Sequence, residues 1–380
     1  MGILIGMDEA GYGPNYGPLV VAATAWQVPD EGSGFRVQSS DVYSHCPAPH
    51  LASAPTPNLP STTATHSIRQ SSICNRKSNI ASPPDLYRLL RVVVAKKPST
   101  RRIAIADSKK LYAPGHGLRQ LERGLHAVLR SMRQPLSRWS AFVEYCQADR
   151  DNHHKTACWP DGFDAALPVD AAADDLDRLS ARFARACEAT EVLPLLIRAR
   201  LIYPAQFNDL VARHGSKGAA LSHITVGLLR EVMDAICPPA EAGSPPPALS
   251  PQPPVSAVCD KHGGRNFYAA ILQHHFSEHW IEPLHESRAE SRYEWGPPES
   301  RVSVAFRMNG ERFLPTALAS MTAKYLRELS MRAFNEFWRT RVPDLRPTAG
   351  YSKDAQRFRQ AIAAAQRELR IDDHAIWRNR

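Results

Sequence analysis

The sequence lacks any stretch able to span a bilayer: nowhere in its 380 residues does an uncharged apolar run approach the required length, about 20 residues. The apolar residues ahead of Asp8 are too few for the hydrophobic region of a secretory signal. Cysteine is sparse as well, seven residues widely spread, an odd number with no C-x-x-C spacing. That argues against a disulfide framework or a zinc ribbon and reads as reduced thiols. Internal repeats are missing, which excludes solenoids and propellers. Together these absences predict a cytoplasmic protein with no membrane partner.

Two segments are also short of core-forming residues. Residues 31–84 consist mainly of Ser, Pro, Thr, Ala and Asn, and residues 238–254 hold eight prolines in seventeen positions. Neither can bury enough apolar surface to offset the entropy of ordering. The expected organisation is one domain built from residues 1–30 and 85–380, interrupted by a low-complexity insertion at 31–84 and a Pro-rich loop at 238–254.

What is present begins with charge. Lys and Arg number 47 against 38 Asp and Glu, a net charge of +9, and the last forty residues carry nine basic and five acidic side chains. That balance favours a polyanionic partner. Hydrophobic periodicity predicts strands near 2–8, 17–27, 102–106, 192–202, 255–260 and 301–308. Helices are expected near 85–95, 115–132, 205–212, 218–236, 314–340 and 353–369. The segment from Asp170 to Asp177 reads as poorly patterned. The alternation is that of an α/β chain.

The most informative stretch is Ile3 to Thr24, in which an apolar strand runs into Asp8 and Glu9, followed at once by Gly11, Tyr12 and Gly13. Neighbouring side chains of a regular strand face opposite ways, so both acids serve one site only where the strand ends. The glycines supply that ending. Hard divalent cations take oxygen ligands of this kind and activate water for attack on phosphorus. A solvated acidic turn is the plain alternative. A dinucleotide loop is disfavoured, because the spacing Gly11, Gly13, Gly17 is one residue too long for G-x-G-x-x-G and Pro14 interrupts it.

Other segments repeat or complement this pattern. Asp107-Ser108-Lys109-Lys110 follows a strand and offers groups suited to a nucleic-acid backbone phosphate. Val255 to Asp260 is again an apolar strand ending in an acid before glycines. Glu311 follows the strand that ends near Phe306, and Ser320 and Lys324 share a face of the next helix, whose small residues allow close packing on the sheet. His275-Phe-Ser-Glu278-His279 matches H-x-x-E-H, an inverted zinc-protease pattern, weighed against a solvated amphipathic helix.

In this order the segments resemble the type 2 ribonucleases H, ribonucleases HII and HIII. The family opening G-x-D-E-A-G-R-G-x-x-x-G-P-V-V-A-A-A is similar to Gly6–Ala23, and D-S-K-K-L is matched by Asp107–Leu111. V-D-G resembles Val258-Cys259-Asp260, A-A-S-I-V-A-K resembles Leu318–Lys324, and G-Y-A-T-K-E is echoed by Gly350–Asp354. The resemblance implies a ribonuclease H-like mixed sheet flanked by helices, with a helical C-terminal part. It implies a monomeric endonuclease that uses Mg²⁺ or Mn²⁺ in a two-metal mechanism. The substrate would be the RNA strand of RNA–DNA hybrids, or duplexes with embedded ribonucleotides. Asp8, Glu9 and Asp260 would be the catalytic, metal-binding carboxylates. Gly11, Tyr12 and Gly13 would meet the ribose 2′-hydroxyl, Ser108, Lys109 and Lys324 would support the phosphate or the site, and Tyr351 would stack on a sugar or base.

Two departures from the family stand out. Tyr12 replaces its central arginine, removing any phosphate contact made by that guanidinium. The fourth carboxylate, an Asp in the family, aligns with Gly310, so the role is assigned to Glu311 next to it. These departures motivate the alternative of a nucleic-acid-binding protein that keeps the fold with lost or altered catalysis.

Overall fold

The computed structural model describes residues 1–29, 83–112, 117–147, 158–159, 163–238 and 252–379. Nearly all of the expected insertion, residues 31–82, and most of the Pro-rich loop lie outside the described residues. The chain begins with β1 (Gly2–Ala10) and β2 (Leu19–Val28), then a single turn α1 (Leu86–Leu89), the short β3 (Val94–Ala95) and β4 (Ile103–Ala104), and the one-turn α2 (Ser108–Leu111). Next come α3 (Arg119–Ser131), α4 (Trp139–Cys146), α5 (Ala173–Thr190), β5 (Leu193–Ile202), α6 (Pro204–His214) and α7 (Lys217–Ile236). They are followed by β6 (Val255–Asp260), α8 (Ala269–His275), β7 (Glu282–Glu286), β8 (Glu290–Trp295) and β9 (Val302–Arg307). The long α9 (Leu314–Arg339), α10 (Ser352–Glu368) and the short α11 (Asp373–Ile376) close the chain.

Seven strands form one mixed sheet in the order β5-β2-β1-β6-β9-β8-β7, and β3 and β4 make a separate parallel pair. β5, β2 and β1 are antiparallel neighbours, β6 and β9 run parallel to β1, and β8 and β7 return antiparallel. The fold is α/β, a mixed sheet flanked by helices, with a helical C-terminal part.

Strand alternation sorts the central side chains onto two faces. Leu4, Val20, Ala22 and Trp26 pack with residues of α3, α5 and α9, whereas Ile5, Met7, Val21 and Ala23 pack with residues of α7 and α8. β1 is covered on both faces, which is why it reads as a nearly continuous apolar run. Its Gly6 marks where α9 lands, since a Cβ there would stand 2.0 Å from the Thr316 nitrogen and 2.1 Å from the Pro315 carbonyl carbon. Two hydroxyls fix that landing: Thr316 Oγ1 donates to the Val258 carbonyl at 3.0 Å, and Thr24 Oγ1 to the Pro315 carbonyl at 2.8 Å.

Several elements differ from expectation. The helix expected near 85–95 is a single turn, because the β-branched run Val92-Val93-Val94 favours extended backbone. The acidic segment near Asp174 opens α5, where carboxylates suit a helix N-terminus and Leu176, Leu179 and Phe183 face the core. α4, α8 and the β7–β8 hairpin were not foreseen. Five cysteines among the described residues are free thiols. No helix among them is long and apolar enough to cross a membrane.

Candidate nucleic-acid and metal site

β1 and β6 are parallel neighbours in register as far as Met7 opposite Cys259, so Asp8 and Asp260 come next to each other where this pairing stops, Asp8 still paired with Ala22 of β2 and Asp260 with Arg307 of β9. Glu9 follows one residue later, its N–H donating to Asp8 Oδ1 at 2.8 Å. The three acids act on one another electrostatically, although as placed their oxygens, with or without Glu311, do not all lie within 4.8 Å of one another. Burial raises Asp8 well above the ordinary carboxylate range, and the charges of Glu9 and Asp260 add to it. Burial, then Asp260, lifts Glu9 to about 7. Asp260 is raised by burial and by Glu311, against the N–H of Gly310 and the cation of Lys109. Half-buried carboxylates that oppose one another's ionisation suit hard divalent cations, since a bound cation removes both the repulsion and the desolvation cost.

Lys109 is the nearby cation. Burial alone would lower it, but the carboxylates of Asp107, Asp8, Asp260 and Glu9 outweigh that and raise it. Its position is set by the cap of α2, where Asp107 accepts the Lys109 N–H at 3.0 Å, and by Ser108. Ser108 N–H donates to Ser320 Oγ at 3.3 Å, and Ser320 Oγ donates to Ser108 Oγ at 3.0 Å. Ser320 lies one helical turn beyond Thr316, so the landing of α9 on Gly6 also positions α2 beside the acids. Ser108 therefore acts through packing; it is buried.

Glu311 sits in a 3₁₀ turn, Gly310–Arg312, that joins β9 to α9. Its neighbours are Asp260, whose ionisation it opposes, and Lys110, whose Nζ is 4.0 Å away. Gly310 donates its N–H to Asp260 Oδ1 at 3.0 Å, and a Cβ there would come within 3.3 Å of both the Asp260 Cα and Thr316 Cγ2. A side chain at 310 would crowd Asp260 and Thr316, and the acid nearest in sequence is Glu311. The other nearby acids are turned elsewhere: Glu286 accepts from the Tyr293 hydroxyl, and Glu290 pairs with Arg292 at 2.8 Å and Arg307 at 2.6 Å.

The glycine loop that follows β1 is held from below by two buried arginines that the sequence pattern gave no reason to select. Gly11 has φ +86° and no room for a Cβ, which would stand 2.5 Å from Arg327 Nε. Arg327 reaches from α9, donates to the Ala349 carbonyl at 2.9 Å and lies 5.9 Å from the centre of the Tyr351 ring. Arg378 donates to the Gly11 carbonyl at 2.5 Å and to that of Pro14. Burial, then the charge of Arg327, lowers Arg378 to about 9. The Gly11 carbonyl is thereby turned inward, while Gly13 is exposed, with open space where a Cβ would be.

The C-terminal tail completes the support. Tyr16 and Trp377 form an antiparallel bridge, Arg378 N–H donates to the Asn15 carbonyl at 2.8 Å, and Asn15 N–H to the Gly350 carbonyl at 2.8 Å. Tyr351 follows Gly350 with 54% of its surface exposed. Its ring is thus available beside the loop. Tyr12 points the other way, lining an open cleft of about 390 Å³ with Gly218 and the loop from His262 to Phe267.

No protein-family model matches the chain, and no curated protein sequence matches it. Among solved structures it is similar over its whole length to the ribonuclease HII of Archaeoglobus fulgidus, solved as a complex with PCNA. Identity is 14%, covering 100% of this chain and 94% of that one, with a TM-score of 0.37. It is also similar to the ribonuclease H2 of Pyrococcus horikoshii OT3, at 12% identity, 98% and 92% coverage and a TM-score of 0.38.

Two more of the sequence candidates are placed as follows. Lys324 is already partnered, its Nζ 2.5 Å from Glu328 Oε1 and 4.4 Å from the centre of the Tyr112 ring. It braces α9 against the chain beyond α2. The H-x-x-E-H histidines are not one helical turn apart, because α8 ends at His275 and Glu278 is engaged by Arg230.

Proposed function

We propose that this protein is a divalent-cation-dependent endonuclease that hydrolyses the RNA strand of RNA–DNA duplexes. What supports the proposal most is the placement of Asp8, Glu9 and Asp260 on two adjacent parallel strands, close enough that the charge of Asp260 acts on both of the others and each is raised above its ordinary pKa. Its supports are the order of the sequence motifs and the glycine loop beside the acids.

Asp8, Glu9, Asp260 and Glu311 would hold Mg²⁺ or Mn²⁺. Bound there, the cations would supply an activated water and stabilise the leaving 3′-oxygen of a phosphodiester. The remaining residues bind and orient. Lys109 offsets the charge of an incoming phosphate, the exposed backbone at Gly13 offers groups for a 2′-hydroxyl, and the exposed face of Tyr351 stacks on a sugar or base. Tyr12 brings no positive charge to the loop. Affinity for the backbone would then rest more on Lys109 and the basic C-terminal segment.

The test is a substrate panel: labelled RNA–DNA hybrid, a duplex with one ribonucleotide, and plain DNA, each with Mg²⁺, Mn²⁺ or chelator. The proposal expects metal-dependent cuts in the RNA strand and none in plain DNA. Tight binding without metal-dependent cleavage would favour the alternative of a binding protein with lost catalysis.

A further inference from the structure

A second cluster of metal-ligating side chains lies on the opposite face of the sheet from α9, apart from the carboxylates. His223 on α7 and His274 and His275 at the end of α8 place one ring nitrogen each within 4.8 Å of one another. His223 Nδ1 and His275 Nε2 are 3.2 Å apart. A fourth ring, His214 at the end of α6, stacks on His223 with centroids 4.0 Å apart. Gly227, one turn beyond His223 on α7, faces His275, whose Cε1 would stand 3.4 Å from a Cβ there, about van der Waals contact.

We propose that His223, His274 and His275 form a binding site for a divalent transition metal of the Zn²⁺ class, distinct in position and chemistry from the carboxylate site. Three imidazoles without a carboxylate suit Zn²⁺, Cu²⁺ or Ni²⁺ and are a poor set for Mg²⁺ or Ca²⁺, which take oxygen ligands. The nitrogens are close enough to reach one ion at the usual Zn–N length, about 2.0–2.1 Å, with small side-chain adjustment. A bound ion would join α7 to α8 beside the Tyr12 cleft. The residue before His223 stands behind that cleft: Ser222 is buried, and its Oγ lies 3.0 Å from Nδ1 of His262, which lines it.

The experiment is a titration of the full chain with Zn²⁺ against a chromophoric chelator, with Co²⁺ absorption as a readout of geometry and excess Mg²⁺ present to fill oxygen sites. The expected result is one Zn²⁺ per chain, weakened at least about tenfold in His223→Ala and in His275→Gln. Asp8→Asn should leave it unchanged. His274→Ala, at an exposed position, supplies a variant in which folding is least disturbed, and it should also lose the tetrahedral Co²⁺ spectrum. Absence of stoichiometric Zn²⁺ binding overturns the proposal, as does binding of equal strength in all three histidine variants. Because no step of the test reads cleavage, its outcome is independent of nuclease activity.

Discussion

Replacing Glu9 with Gln should stabilise the metal-free protein at alkaline pH. Glu9 ionises at about 7 instead of its ordinary 4.5 because it is buried beside Asp260. A carboxyl whose pKa is raised by folding contributes stability below its unfolded value, and that contribution is lost as pH rises through the folded value. The metal-free wild type should therefore lose up to about 3 kcal/mol between about pH 4.5 and pH 7.5 through this group. Gln keeps the shape and cannot ionise, so the variant avoids that loss. At roughly 2 °C per kcal/mol for a chain of this size, its Tm in chelator should exceed the wild-type value by about 5 °C at pH 8. The two should converge near pH 4.5. Saturating Mg²⁺ should narrow or reverse the difference, because the wild type gains the cation and the variant binds it less well. Thermal unfolding followed by circular dichroism across this pH range is the assay. A variant no more stable than wild type at pH 8 in chelator would refute the argument that these acids are held together against their repulsion.

Further predictions follow from the support of the site. Gly6→Ala drives a methyl into the backbone at Pro315 and Thr316 and should cost about 4 kcal/mol or more, seen in urea unfolding. Glu122 is fully buried and accepts from the N–H groups of Val169, Asp170 and Ala171 and from the Tyr325 hydroxyl. Glu122→Ala leaves these donors unpaired and should destabilise by roughly 3 kcal/mol. Arg378→Met removes the guanidinium that holds the Gly11 and Pro14 carbonyls. It should weaken hybrid binding severalfold, on the order of 1 kcal/mol, measured by fluorescence anisotropy at fixed salt.

The placement of Asp8 and Asp260 on neighbouring strands was legible in the sequence because its signals are local. An apolar strand ending in acids before glycine marks the edge of a sheet, and this happens at both Asp8 and Asp260; the fold adds that the two strands run parallel. The arginines beneath the loop were not legible. Arg327 is one of several basic residues on α9, and Arg378 meets Gly11 across 367 positions of sequence. Nothing in either neighbourhood marks them. α5 was missed although its core residues Leu176, Leu179 and Phe183 keep helical spacing, because its first turn is crowded with acids that made the segment read as poorly patterned. The β7–β8 hairpin was missed for another reason: β7 is an edge strand rich in charge, the usual protection of a sheet edge, and so lacks an apolar pattern. The histidine cluster was visible only as the H-x-x-E-H match. The fold keeps His275, discards Glu278 and His279, and recruits His223 from 52 residues away.

The central claim is that Asp8 and Asp260 act together on a phosphodiester. Its most direct test is the single-turnover cleavage rate of a labelled RNA–DNA hybrid at saturating Mg²⁺ for wild type, Asp8→Asn and Asp260→Asn. The account predicts RNA-strand cleavage by the wild type and a loss of at least about a hundredfold in each variant, with hybrid binding retained. Cleavage at equal rates by all three proteins would contradict it.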